Sequence, residues 1–401
     1  MTYSDDRKGV DGKGRPPLTR RENLLAALTH RRAERLPAFF VADNFNQPQP
    51  LPKGLGEDPF DPGIMRFLGG DVVDRIGISA LVARETPSVN YVEAARADGS
   101  TYGEWQTARG GLSRVLAPSP EGQTTFTREL PVQRSEDYAI LMAILEDTRL
   151  SLDQDALTAA ECRLSMVGDE GIVYTVCPSS PIMDLARSWT GLERLVYDLC
   201  DRPRVVADIL TLMHEVNCQQ YELTARNTPG QVLVCWDDVN NLYLSRRLLE
   251  KYWVGVMSDY ARIAHEHGKV LVMHTCGRLQ GLLDLFAETG IDAVDWLTPP
   301  PTGDIIFAQA QGALRGQVAV MGAAEPEVMR FGAPHEVEQS LHRWLAGVDL
   351  TYAFALMIPC PLGTPLANAA RVAKVLSRDY GFPLNAHPDY GPIWQDPAAH
   401  W

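Results

Sequence analysis

Two soft metal ligands stand two residues apart at the end of an apolar run. The stretch Val270–Gly277 reads Val-Leu-Val-Met-His-Thr-Cys-Gly. Its first four residues have the unbroken apolar character of a strand buried on both faces. Side chains at i and i+2 of an extended segment point the same way, so the His274 imidazole and the Cys276 thiolate can converge on one ion. Zinc takes nitrogen and sulfur ligands, and a zinc that does chemistry keeps one coordination position open. Gly277 permits the tight turn that follows. The competing reading is a core histidine beside an ordinary buried cysteine, since short motifs of this kind often arise by chance.

A third ligand has to come from elsewhere. Cys360 sits in Ile-Pro-Cys-Pro directly after another apolar run, Thr351–Ile358. Two thiolates and an imidazole suit zinc or another soft divalent ion. A carboxylate can complete the set, and Asp238, Asp295 and Glu325 all remain open, as does a substrate atom. Of the other cysteines, Cys200 and Cys218 fall in helical patterns and read as core. Cys235 lies inside a strand, and Cys177 in an irregular loop.

These residues need a scaffold, and the second half of the chain supplies one. Gln231–Trp236 leads into Asp237-Asp238 and a helix from about Ser245. Lys269–Met273 leads into His274 and a helix carrying Leu279, Leu282, Leu283 and Phe286. Gln317–Met321 leads into Gly322, Glu325 and a helix near His335–Trp344. Thr351–Ile358 leads into Cys360 and a helix near Pro365–Ser377. Strands alternating with helices imply a parallel sheet with right-handed crossovers. Each strand ends in polar or reactive residues, the polarity of a (β/α)8 barrel whose active site lies at the strands' C-terminal ends. No Gly-x-Gly-x-x-Gly follows the first strand, which argues against a doubly wound dinucleotide fold.

The expected architecture is therefore α/β, a single (β/α)8 TIM barrel over residues 18–383. Thr19 and Glu22 have capping-box spacing and open the helix Arg20–His30. Leu36–Ala42 reads as the first strand. Between Ser88 and Val132 the helical period gives way to Asp-Gly and Gly-Gly turns, a β-hairpin excursion in the N-terminal third. Helical patterns resume at Ser135–Leu145, Gly191–Cys200 and Pro203–Arg226. Residues 1–17 have almost nothing apolar and are expected to be disordered; 384–401 form a Pro-rich tail.

Composition narrows the functions. The 401 residues are 45% hydrophobic and 22% charged, with a formal net charge of −14. That balance fits a globular enzyme-sized chain and argues against nucleic acid or an anionic membrane as partner. Seven cysteines, an odd number without regular spacing, do not form a secreted disulfide framework. No signal peptide or spanning run is visible, so a reducing cytoplasm is expected. Around the barrel mouth the candidate substrate-binding residues are Asp43, Asn44, Tyr102, Trp105, Trp189 and Asp237. Asp238 either acts on substrate as a general base or caps its loop.

Several pieces, in order, resemble the uroporphyrinogen decarboxylase superfamily, and within it the zinc-dependent methyltransferases of corrinoid or coenzyme M pathways. They are Thr19-Arg20-Arg21-Glu22-Asn23-Leu24-Leu25 with Arg35-Leu36-Pro37, then Gly191-Leu192-Glu193 with Asp201-Arg202-Pro203. His274-Thr275-Cys276-Gly277 with Gly290-Ile291-Asp292-Ala293 follows, and Cys360 with Thr364-Pro365 and Asn368 closes the series. The resemblance implies zinc at a barrel mouth and Asp238 in the place of an active-site aspartate. It also implies methyl transfer between an O-, N- or S-methyl compound and a corrinoid (cobalamin) or thiol acceptor, with a corrinoid protein as a candidate partner. Decarboxylases of the family carry arginines after the first strand, whereas Phe39–Asn46 has none. That departure suits a neutral or cationic substrate. A metal-free decarboxylase and a non-enzymatic barrel that binds a corrinoid or methylated ligand are the alternatives. The methyl donor and acceptor and the oligomeric state are not encoded in any motif found.

Overall fold

Eight short strands form the parallel staves of a barrel. They are β1 (Ala38–Val41), β2 (Val72–Ile78), β3 (Gly171–Cys177), β4 (Val232–Trp236), β5 (Val270–His274), β6 (Ala293–Leu297), β7 (Ala319–Ala323) and β8 (Phe354–Pro359). The computed structural model describes residues 16–41, 62–78, 81–119, 125–314 and 316–383. The sheet order is β1-β8-β7-β6-β5-β4-β3-β2, and every hydrogen-bonded neighbour is parallel. This is the expected barrel, nearly closed.

Among the described residues, Asp71 bridges the seam between β1 and β2. Asp71 N donates to Ala38 O at 2.8 Å, and the Asp71 carboxylate accepts from Ala38 N at 3.1 Å. Arg20 and Arg35 hold the same carboxylate at 3.0 and 2.6 Å. A side chain thus takes the place of a ladder carbonyl, and its buried charge is offset by two guanidiniums.

Strand alternation sorts the core into two layers. Phe39, Val73, Tyr174, Val234, Val272, Met321 and Met357 fill the barrel interior. Leu233, Leu271, Val294, Val320, Leu356 and Ile358 face the surrounding helices. The helix Pro203–Asn227 shows how that outer layer is read from sequence: Val206, Ile209, Leu210, Met213 and Val216 are buried at helical spacing. Pro203 at its first turn costs no hydrogen bond there. The helix Arg20–Leu28 has the expected capping box from Thr19 and Glu22.

The excursion is larger than a hairpin. Asn90–Ala95, Thr101–Thr107, Gly110–Pro118 and Thr125–Glu129 form a four-stranded antiparallel sheet in sequence order. Val82–Glu85 pairs with Arg149–Leu152 at its base. Cys177, expected in a loop, ends β3 and stands in register with Cys235 on β4. Among the described residues no helix is long and apolar enough to cross a membrane. The expectations for residues 1–15 and 384–401 lie outside the described residues.

Candidate metal centre

The last residue of β5 is His274, and the chain turns at once through Thr275 and Cys276 into Gly277, whose φ of 89° needs the freedom of glycine. Thr275 is fully buried: its N donates to Asp295 O, and its hydroxyl to Val239 O. His274 and Cys276 are left on the other side together, as the i, i+2 spacing requires. The Cys276 thiol lies 3.7 Å from His274 Nε2 and donates to Asp238 Oδ1 at 3.6 Å. Asp238 Oδ1 is 3.4 Å from His274 Nε2. One donor atom from each of Asp238, His274 and Cys276 therefore lies within 4.8 Å of the others.

Each member is held from behind. Asp238 follows β4 with a left-handed backbone, φ 56°, a conformation Asp tolerates better than most residues. Its N donates to His274 O at 3.2 Å, and its other oxygen pairs with Arg187 at 2.9 Å. Arg187 lies on a π-helical turn, Leu185–Thr190, and also donates to Trp236 O and Ser179 Oγ. Such turns recur at functional sites. His274 Nδ1 meets Asp295 Oδ1 on β6 at 2.6 Å, a bond to a buried carboxylate that places a proton on Nδ1.

Arg75 on β2 reaches across the barrel to this pair. Its Nη2 is 3.5 Å from Asp295 Oδ2 and 3.2 Å from His274 Nδ1. Its guanidinium lies between two indoles, 4.7 Å from the Trp236 ring and 4.6 Å from Trp296. Burial disfavours charge on His274, Asp295 and Asp238, yet each one's oppositely charged neighbours prevail. Against its desolvation, the charge of Asp295 and the hydrogen bonds the ring donates to Asp238, Asp295 and Cys276 lift His274 to about 10. Arg75 and His274 hold Asp295 below the usual carboxylate range despite full burial. Against a similar penalty, His274 and Arg187 do the same for Asp238.

Other expected residues go elsewhere. Cys360 does not join the trio: it is fully buried in the layer between barrel and helices, its thiol 3.8 Å from Ile358 O, and burial pushes that thiol's pKa up. Asp237 is sealed, accepting from Ser180 N and Oγ at 2.8 Å and from Trp253 Nε1. Glu325 caps the helix Pro326–Phe331 by accepting from Glu327 N and Val328 N, and it also bonds Thr302. Asp295 stands behind the histidine, in contact with its Nδ1. Trp105 and Trp189 lie 5.3 Å apart with their rings tilted by 41°, and Tyr91 is 4.9 Å from Trp105, joining the excursion sheet to the π-helical turn. Tyr102 bonds Glu104 under Arg96. Asp43 and Asn44 lie outside the described residues. Cys200, expected in the core, is exposed, and Cys218 is half-buried.

Arg75, Arg187 and Trp296 were not singled out by sequence. Phe39–Asn46 lacks arginine, but Arg75 and Arg187 enter the site from β2 and from the turn after β3. Of the three, Arg75 stands beside Asp74 inside the Val72–Ile78 strand, and this charged pair masks the apolar pattern there.

Residues 172–378, just over half of the chain, match the uroporphyrinogen decarboxylase (URO-D) family, and the chain belongs to that family. Among solved structures, the fold is similar to that of a methyltransferase from Methanosarcina mazei, with TM-score 0.58 and 13% identity over 90% of this chain and 99% of that one. At that identity the likeness is one of fold. A D-psicose 3-epimerase from Clostridium cellulolyticum H10 is more loosely similar, with TM-score 0.33 and 8% identity over 56% of this chain and 83% of that one. No curated protein matches the sequence.

Proposed function

We propose that this protein is a zinc-dependent methyltransferase or demethylase, with the ion held by His274, Cys276 and Asp238 at the barrel mouth. It moves a methyl group between an O-, N- or S-methyl compound and a corrinoid or thiol acceptor. The observation that carries this reading is the convergence of nitrogen, sulfur and carboxylate donors at the C-terminal end of β5, with His274 Nδ1 already engaged by a buried carboxylate. That donor chemistry fits zinc, and three protein ligands are the number a catalytic zinc uses. A carboxylate behind a ligating histidine fixes the ring and raises its basicity. Membership of the family and a fold like that of a methyltransferase support the reading.

A zinc ion in this place supplies a lowered thiol pKa or Lewis-acid activation of a methylated heteroatom. The chain's own work is positioning. Asp295 orients the imidazole so that Nε2 faces Asp238 and Cys276, and Arg187 fixes the Asp238 carboxylate. The Trp236 ring, 4.5 Å from that of His274, and the Trp296 ring, 5.9 Å from it, form apolar walls beside the imidazole. Methyl transfer is an in-line displacement, so holding two partners in line accounts for most of the acceleration a protein can provide. The setting is a reducing cytoplasm, and a corrinoid protein is the partner this chemistry calls for.

Elemental analysis of protein purified without added metal should find about one zinc per chain. Incubation with O-, N- and S-methyl donors and cob(I)alamin, followed by absorbance, should show methylcobalamin with one donor class. A metal-free protein that decarboxylates uroporphyrinogen and transfers no methyl group would overturn the proposal.

A further inference from the structure

We infer that Arg75 is the positioning residue of the metal centre: it clamps Asp295 from across the barrel and thereby sets the His274 ring in its ligating pose. The inference rests on the proposed metal site, but its observations are separate from those that define the donor trio.

The first observation is reach. β2 lies three strands from β5 in the sheet order and four from β6, so Arg75 contacts neither through the ladder. Its side chain crosses the barrel interior and meets both strands at once, at His274 and Asp295. The residue is only 6% exposed. Burying a guanidinium so fully is costly unless it is paired and hydrogen-bonded, and here Asp295 and His274 supply the partners.

The second observation is how the cation is caged. The indoles of Trp236 on β4 and Trp296 on β6 approach the guanidinium at nearly equal distances. A planar guanidinium suits such a sandwich, where an ammonium does not. The Trp296 wall is bought with backbone strain. The β6–β7 register shifts between Asp295 and Leu297, and Trp296 has a left-handed φ of 64°. A bulge turns two successive residues to one side of a strand. Here it sends both Asp295 and Trp296 inward, one to bond His274 and the other to cover Arg75, while Leu297 returns to the outer layer. Strain of this kind in a tryptophan persists where the surroundings over-determine it, and such places cluster at functional sites.

The consequence is a chain of position. Arg75, locked by the two rings, fixes the free oxygen of Asp295. Asp295, held at both oxygens, fixes the Nδ1 side of His274. The ring can then present only Nε2 to Asp238 and Cys276.

Two readouts test this on the full chain: zinc affinity by competition with a chromophoric chelator, and the His274 pose in metal-free crystals. Arg75→Met should fold, show the His274 ring rotated away from Asp295, and bind zinc roughly 10–100-fold more weakly, as outer-shell changes do. Arg75→Lys, which keeps the charge but loses the plane, should fall between wild type and Arg75→Met on both. Asp295→Asn should weaken zinc as well, and the double variant should bind no more weakly than the weaker single variant, because the two act in series. If Arg75→Met does not fold, Arg75→Lys decides on the same two readouts. An unchanged ring pose with wild-type zinc affinity in these variants would overturn the inference. A wild type that binds no zinc would instead overturn the metal site, and the ring pose would still decide the role of Arg75.

Discussion

The ends of β5 and β8 both run from an apolar strand into a cysteine, and the two thiols meet opposite fates. Cys276 is part-exposed, with a carboxylate and an imidazole within 3.7 Å. Cys360 is sealed among apolar side chains, with one backbone carbonyl for company. The difference is one of parity. His274 faces the barrel interior, and two further residues lead to Cys276 on the same side. Met357 also faces the interior, but Cys360 lies three residues on, on the side of Ile358 and the helices. A single residue of step moves a side chain across a sheet. Position after a strand therefore does not by itself nominate a ligand.

The largest expected contrast is between those two cysteines. Cys276→Ser should lower zinc affinity by at least the roughly 10–100-fold that outer-shell changes cost. Cys360→Ala should leave zinc content unchanged and cost about 1 kcal/mol of stability for the lost apolar group. Elemental analysis and chemical denaturation of both variants read this out, and zinc loss in Cys360→Ala would erase the distinction.

A smaller effect concerns what completes the β5 site. Asp238→Asn should weaken zinc binding roughly tenfold or more while circular dichroism stays that of the wild type. Retained zinc with turnover down roughly 10²–10⁴ would make Asp238 a general base rather than a ligand.

The finest test uses pH. In the metal-free protein the Asp295 carboxylate outweighs burial and pushes His274 up to about 10, against 6.5 for a free imidazole. Its folded value is raised, so its contribution to stability is complete below pH 6.5 and is lost as the pH rises through 10. Melting temperatures of metal-free protein should decline across that window more steeply than those of His274→Gln. Zinc-loaded protein should lack this component, since a ligating imidazole is neutral. Cys360→Ala should follow the wild type throughout.

Legibility in the sequence followed what each strand carries. β4, β5, β7 and β8 read directly, because their residues are almost all apolar until the final position. β6 did not, since Asp295 and the bulged Trp296 break its pattern for the sake of the site. β2 was hidden by Asp74, which pairs with Arg163, and by Arg75. His274, Cys276 and Asp238 were visible as residue types at strand ends, and the structure brings them together. Their supports were not, because an ion pair across a barrel has no sequence spacing to betray it. The acidic residues also divided by burial: Asp237 and Glu325 resemble Asp238 in type and place, but backbone and side-chain donors already occupy them.

The Asp71 seam gives the barrel wall an unusual topology of dependence. Seven of its eight joints are ladders, in which the loss of one contact leaves neighbours to hold the register. The eighth rests, among the described residues, on Asp71, whose N–H and carboxylate both bond Ala38 and close the ring as a clasp closes a bracelet. Among the described residues the wall is therefore held by the fewest bonds between β1 and β2, and Arg75 stands on the β2 side of that joint. Arg20 and Arg35, remote from the barrel mouth, then share in the alignment of the strand that carries Arg75, because they keep the clasp shut.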